Sequence, residues 1–426
     1  MLRKGYIMKE FSIAYGKSSK IFDLDENRII GVLIPNDVKV DIVGEEEVKR
    51  AILNPIGSKR LKDKVKSGDK IVIITSDLTR PMPSRLVLPH VIDELLAGGA
   101  KYGDITVVFA VGSHRSHTEE EKKYMVGEEV YNKVKCIDSN PDDYVHMGCT
   151  KRGTPVDIFK IVAEADIRVC LGNIEYHWFA GYSGGAKAIM PGVSTRAAIQ
   201  SNHKFLTSSD AKAGALESNP VRCDIEEVAE FVPIDFIVNV VLDEKKAVIK
   251  AVAGHHQLAH REGCKFLDEF YKVKISEKAD IVIVSPGGYP KDLNLYQAQK
   301  ALDNARHAVK PGGIIIWVAR AQEGLGQEVF EEWITSAKSP QSILDRIQVD
   351  FQLGGHKAAG IANVLVNAQV FLISDMDPEF IRSIFMQPFD EVTRALEEAY
   401  SQLGDNVSVM LMPYGGSTLP VLETEN

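Results

Sequence analysis

The sequence predicts an α/β protein of two α/β domains with mainly parallel sheets, its active site in the cleft between them. Three observations carry that reading. Short β-branched runs bounded by Gly, Asp or Pro alternate with longer helical patterns, as when strands feed crossover helices. The runs are almost continuously apolar, which suits strands covered on both faces. A length of 426 residues exceeds what one hydrophobic core usually serves.

The elements follow in chain order. Strands are predicted at 70–75, 104–111, 167–171, 236–242, 280–284, 313–318, 364–373 and 406–412. Helices are predicted at 84–97, 221–231, 256–271, 295–309 and 389–403, where apolar residues recur at three-and-four spacing. Pro83-Ser84 supplies turn and cap chemistry ahead of the first helix. The charged stretch 272–278 separates a long helix from a fresh strand, so the domains are drawn as 1–273 and 274–426. No fixed-period repeat or low-complexity segment interrupts the pattern.

Composition narrows the function classes. A formal net charge of −9 provides no concentrated positive field, which argues against nucleic acid or an anionic membrane as partner. A small molecule is the better default, and the sequence leaves a homo-oligomer open. The five cysteines are scattered, without C-x-x-C or zinc-like spacing, and read as reduced thiols. The N-terminal stretch lacks a sustained apolar segment and no run reaches about 18 apolar residues, so a cytoplasmic protein is expected.

Four polar clusters follow predicted strands, where open α/β sheets place their ligands. In the first, Ser76 to Pro83, Arg80 can clamp a carboxylate or phosphate and Asp77 can orient nearby groups, although an Asp–Arg turn pair before a helix explains the segment equally well. In the second, Gly112 to Glu120, His114 stands at a strand mouth where a general base is useful. His117 instead precedes Thr118-Glu119-Glu120-Glu121, a helix start with Thr118 as cap, and is given a mainly structural role.

The third cluster, Gly172 to Gly192, sets Lys187 in a glycine-rich turn behind the aromatic residues Tyr176, Trp178, Phe179 and Tyr182. It is neither a Walker loop, since Ala186 and Ala188 flank the lysine, nor a G-x-G-x-x-G fingerprint. Such a turn can cradle an anion, the aromatic flank suggests a flat ligand, and a lysine among small apolar residues gains nucleophilicity. A buried turn with a snorkelling lysine is the structural alternative. Sixteen residues on, His203 ends a predicted capped helix. One imidazole can ligate a borderline metal, but no companion ligand lies at metal spacing, and a helix-terminal histidine taken alone is more often a capping or surface residue. In the fourth cluster, Ser285 to Lys300, Tyr296 and Lys300 share a helical face and can address one anion, or Lys300 is simply solvated.

Taken in order, DLTRPMP, GSHRSHTEE, EYHWFAGYSGGAKAIMPG, SNH and GGYPKDLNLYQAQKAL resemble the nickel-dependent lactate racemase family, from about Asn54 to near the C-terminus. The resemblance implies nickel in a pyridinium-3-thioamide-5-thiocarboxylic acid mononucleotide, a pincer gripping the metal through one carbon and two sulfurs. By motif, Lys187 would hold it as a thioamide, with Asp77, Ser183, Gly184 and Gly185 around it and His203 on nickel. His114 and His177 would be the acid/base pair, one for each substrate face. Arg80 and Lys300 would fix the carboxylate of a small 2-hydroxy acid, with Tyr296 and Gln297 in support. Partners would include enzymes that build and nickelate the cofactor. Two departures stand out: Ala186, where an arginine often precedes the lysine, and His356, where lactate-specific members carry tryptophan. His356 would suit a longer or more hydroxylated acid than lactate. A nicotinamide-dependent 2-hydroxyacid dehydrogenase and a non-catalytic anion- or nickel-binding protein are the competing classes.

Overall fold

The apolar runs become the inner strands of two six-stranded sheets in a computed structural model of the chain, which describes residues 7–112, 114–243, 245–352, 354–404 and 406–424. Two compact units result, one of Val38–Glu269 and one of Met1–Asp37 together with Phe270–Asn426.

In the first unit the strand order is Val248–Gly254, Phe236–Leu242, Ile167–Asn173, Ile71–Ser76, Ile105–Ala110, Lys135–Asp138. All pairings are parallel except the first, which is antiparallel. From Ile71–Ser76 the chain proceeds to Ile105–Ala110 on one side and later returns to Ile167–Asn173 on the other. Such a reversal, at the carboxyl ends of the strands, is the usual ligand position in sheets of this kind. The core beneath is aliphatic, with Ile73, Val107, Val169 and Val238 fully buried.

The second unit repeats the scheme with Gln387–Phe389, Gln369–Ile373, Val309–Val318, Ala279–Val284, Val409–Met412 and Ile29–Val32, all parallel. Its reversal lies between Ala279–Val284 and Val409–Met412. The edge strand Ile29–Val32 comes from the N-terminus. The hairpin of Met8–Tyr15 and Ser18–Asp25 adds Ile13, Tyr15, Phe22 and Leu24 to the same core. The partition expected at 273/274 therefore needs correction at its start, because residues 1–37 belong with the C-terminal stretch.

The elements named from the sequence form with differences mainly at their ends, while others it did not name also form, among them the helix Gly44–Leu53 and the strands Ile29–Val32 and Val248–Gly254. Helices form at Ser84–Ala97, Pro220–Phe231, Leu258–Tyr271, Leu295–Ala305 and Val392–Leu403. The apolar run at 364–373 divides: Val364 and Leu365 finish the helix Gly355–Leu365, and the strand begins at Gln369. Val309 opens a strand and Phe389 closes one, although both were expected in helices. No side chain caps the first helix; the Ser84 hydroxyl instead pairs with Thr75 at 2.7 Å. Thr118 does cap its helix, in a reciprocal box with Glu121.

Candidate active site

The reversal in the Val38–Glu269 sheet gathers residues from three of the sequence clusters. Asp77 and Arg80 follow the strand Ile71–Ser76, His114 follows Ile105–Ala110, and His177 and the lysine turn follow Ile167–Asn173. Ser113, beside His114 in sequence, lies outside the described residues.

Asp77 is buried, and its Oδ2 lies 2.5 Å from His114 Nδ1. Burial alone would favour the protonated acid. The hydrogen bond and charge of His114, with help from Thr79 and Arg80, outweigh that and hold the carboxyl below its ordinary range. An ionised Asp77 can only accept, so His114 donates from Nδ1, and whenever the ring is neutral its lone pair lies on Nε2. His117 bridges Asp138 through Nδ1 at 2.6 Å and accepts the Leu78 N–H at Nε2, 3.1 Å away. It thereby fixes the loop carrying Asp77 and Arg80, the structural role its sequence position suggested. Arg80 lies 3.9 Å from Glu175.

His177 sits in a two-residue strand, Tyr176–His177, paired with Gly181–Tyr182. Its Nδ1 accepts the Ala180 N–H at 3.3 Å, which puts the proton of the neutral ring on Nε2. In their neutral forms His114 and His177 therefore take opposite tautomers, one with a lone pair at Nε2 and the other with a proton there.

Between Tyr182 and Lys187 the chain makes a turn whose polar groups are engaged by buried side chains. The Ser183 hydroxyl donates to the Asn173 carbonyl and accepts the Glu175 N–H. The Gly185 N–H donates to Asn239 Oδ1 at 2.7 Å. A Cβ at Gly184 would stand 2.7 Å from that same oxygen, and φ there is +77°, so only glycine fits. Burial, joined by the charges of Arg80 and Arg222, drives the Lys187 amine well below its usual range, against a smaller opposing effect of Glu175. That environment favours the neutral, nucleophilic form of the Lys187 amine.

His203 ends the helix Arg196–His203, which Thr195 caps, and it is buried. Asn202 Nδ2 donates to Asp224, turning Oδ1 toward His203 Nδ1 at 3.1 Å. With the proton on Nδ1, Nε2 carries the lone pair a metal needs. Burial and the nearby Lys187 push this imidazole down to about 3. Phe179 joins these groups: its ring centroid lies 4.5 Å from that of His177, 4.9 Å from that of His203, and 6.0 Å from Lys187 Nζ. Trp178 packs edge-on against Phe179, and its buried Nε1–H meets no acceptor among the described residues. Tyr176 and Tyr182 turn away, both donating to Asp268.

In the other unit, Tyr296, Gln297 and Lys300 lie on the helix Leu295–Ala305, with Gln297 exposed and the other two half-buried. The Tyr296 ring meets that of His356 edge-on at 6.4 Å. His356 Nδ1 accepts the Gly354 N–H at 3.1 Å. Lys357 lies 5.2 Å over the Tyr296 ring and reaches Gln299 Oε1 at 3.1 Å.

Sequence reasoning missed Phe179 as a common neighbour and gave no role to Arg222, Asn239 or Asn202. The run of aromatics before the lysine was a signal for the first; nothing in the sequence distinguished the others. Among the described residues, no group of three or more His, Cys, Asp and Glu is placed to hold a metal, and no helix is long and apolar enough to cross a membrane.

Two parallel-stranded α/β units, with a half-buried lysine and three histidines gathered at the sheet reversal of one, define an α/β enzyme rather than a passive scaffold. Residues 15–214 match the lactate racemase N-terminal domain and residues 274–419 the lactate racemase C-terminal domain. The lactate racemase of Thermoanaerobacterium thermosaccharolyticum is 38% identical over 424 residues, covering 97% of this chain and 99% of its own. That of Lactiplantibacillus plantarum is 34% identical over 420 residues, covering 96% and 99%. The solved apoprotein of the Thermoanaerobacterium lactate racemase superposes with a TM-score of 0.86 at 36% identity, covering 97% of this chain and all of that one. A Thermotoga maritima protein at 18% identity and TM-score 0.64, covering 91% of this chain and all of its own, shares the fold. The chain belongs to the lactate racemase family. Membership makes it an isomerase, a racemase by class.

Proposed function

We propose that the chain racemises or epimerises a small 2-hydroxy carboxylate, lactate or a close relative, with nickel held in a pyridinium-3-thioamide-5-thiocarboxylic acid mononucleotide attached through Lys187. The observation carrying this reading is geometric: Lys187 and the buried His203 meet on the ring of Phe179, beside His177. The residues fit the group. Lys187 offers a nucleophilic nitrogen, His203 one lone pair, and the turn of Ser183, Gly184 and Gly185 a rigid mount, with Asp77 nearby on the His114 side. A single histidine cannot complete a metal's coordination, which favours donors supplied by a cofactor. When bound, the pincer supplies a reversible hydride acceptor, so C2 need not lose a proton beside an anionic carboxylate.

The chain's own groups then handle protons and position. His114 Nε2 takes the hydroxyl proton as the substrate becomes a 2-oxo acid, and Asp77 stabilises the imidazolium that results. His177 Nε2–H serves the opposite face, and the roles exchange for the other enantiomer. Arg80 binds the carboxylate in competition with Glu175, and Lys300, Tyr296 and Gln297 keep the supporting contacts the resemblance assigns. With Nδ1 accepting from Gly354, His356 presents Nε2–H beside Tyr296, which favours a substrate with a further polar group. Lactate is the substrate named for both curated relatives. A panel of lactate, malate, gluconate and aromatic 2-hydroxy acids decides this, and a clear lactate optimum rejects the His356 reading. We place the enzyme in the cytoplasm, alongside the enzymes that make and nickelate its cofactor.

The test is intact mass and nickel analysis of matured protein with a chiral assay. Lys187→Ala is expected to lose both the adduct and turnover. Matured wild-type enzyme that interconverts enantiomers without an adduct would overturn the proposal.

A further inference from the structure

The helix Pro220–Phe231 carries an arginine, Arg222, that is 1% exposed. Its Nη1 donates to the carbonyls of Tyr182 at 3.4 Å and Gly184 at 3.3 Å. Its Nη2 packs against the His260 ring, 2.9 Å from Nδ1 and 2.6 Å from Nε2, and the Ser183 carbonyl accepts from His260 Nε2 at 2.8 Å. Three successive carbonyls of the turn, at 182, 183 and 184, are therefore held by one buried pair of side chains. Asn239 holds the N–H that follows. Gly185 packs so closely on this pair that a Cβ there would lie 3.0 Å from the His260 ring and 3.2 Å from Arg222 Nη2. Glu226 fixes the cluster from behind, accepting from Arg222 Nε at 2.9 Å and from both terminal nitrogens of Arg261, at 2.7 and 2.8 Å.

Full burial of an arginine with this many acceptors is a costly arrangement that a surface turn would not need. We infer that Arg222 is a positioning residue for cofactor attachment: through His260 and three backbone carbonyls it locks the Tyr182–Gly185 turn, which sets the direction from which Lys187 Nζ meets its electrophile. The inference rests on the reading of Lys187 as the attachment point. Attachment joins Nζ to the carbon of a thiocarboxylic acid on the pyridinium mononucleotide, forming the C–N bond of a thioamide and releasing one water. No electrons change hands. The nitrogen must approach along one line, and a displacement of about 1 Å in such a step can cost about 100-fold in rate. Burial and the Arg222 charge also hold His260 well below its normal range, so the ring stays neutral, with Nδ1 as acceptor and Nε2 as donor.

Arg222→Gln and Arg222→Lys, each with the wild type, are followed in two measurements. Adduct formation at Lys187 is timed by intact mass during maturation, and amide hydrogen exchange of the turn peptide is read on the chain before maturation. Attachment is expected to slow at least about tenfold in Arg222→Gln and less in Arg222→Lys. Exchange is expected to rise in the turn while the strands Ile71–Ser76 and Ile105–Ala110 stay protected. Wild-type attachment and turn exchange in folded Arg222→Gln would overturn the inference. If that variant does not fold, the same wild-type behaviour in Arg222→Lys overturns it. Absence of any adduct on matured wild type would instead overturn the attachment reading itself, leaving the exchange measurement to judge the clamp.

Discussion

The two units share one plan and use it differently. Each has a six-stranded sheet whose strand order reverses near the middle, with polar residues after the strands that flank the reversal. In Val38–Glu269 those residues are paired by the fold before any ligand arrives: Asp77 fixes His114, Asn202 fixes His203, and Ala180 fixes His177. In the other unit, Gln297 is exposed and Tyr296, Lys300 and His356 are half-buried on helix surfaces. Groups that move protons or form bonds must be held in one state, whereas groups that bind a small anion can adapt. Under the proposed function, proton transfer and cofactor attachment fall to the first unit, and the second adds contacts to the substrate.

The largest expected effect lies on the chemical side. His114→Ala should lower kcat by about 10²–10⁴-fold with the mass adduct intact, and Asp77→Asn should act in the same direction by releasing the tautomer. Loss of the adduct in either variant would move these residues from proton transfer to cofactor retention. Next comes Lys300→Ala, expected to raise KM by about 10–100-fold with little change in kcat, the scale of one charge-assisted hydrogen bond. A fall in kcat alone would break the division of labour between the units.

Acid sensitivity sharpens the comparison further. Burial would raise the Glu226 carboxyl, but the Arg261 hydrogen bond and the charges of Arg222 and Arg261 depress it to about 2. A depressed carboxyl contributes stability that is complete above its ordinary value near 4.5 and vanishes as pH falls toward 2. Calorimetry should show the wild type losing up to about 3 kcal/mol more than Glu226→Gln across that window. Equal losses would mean the buried cluster is not ionised as drawn. The smallest effect is expected from His356→Trp, a shift of about tenfold in preference toward lactate over hydroxylated acids, read as a ratio of kcat/KM.

The legibility of the sequence tracked how local each signal was. The strand Phe236–Leu242 and the helix Ser84–Ala97 appear where their apolar patterns end. The run at 364–373 misled because a helix end and a strand start, both apolar, adjoin with no strong punctuation. Residues of the site with ordered motifs, such as His114 and Lys187, were visible as candidates. Arg222 was not, because a lone arginine in an amphipathic helix reads as solvated. Its burial follows from packing against a turn 38 residues away. The membership of residues 1–37 was hidden for the same reason, since it depends on pairing Ile29–Val32 with Val409–Met412.

That last pairing bears on how the chain comes off the ribosome. The unit Val38–Glu269 is uninterrupted in sequence and can close once its last residues emerge, whereas the strand Ile29–Val32 must wait for Val409–Met412 before its neighbour in the sheet exists. Until then Ile13, Phe22 and Leu24 lack the rest of their core, and a newborn edge strand stands open. Synthesis thus leaves the strand Ile29–Val32 to find its place in the sheet only after Val409–Met412 has been made.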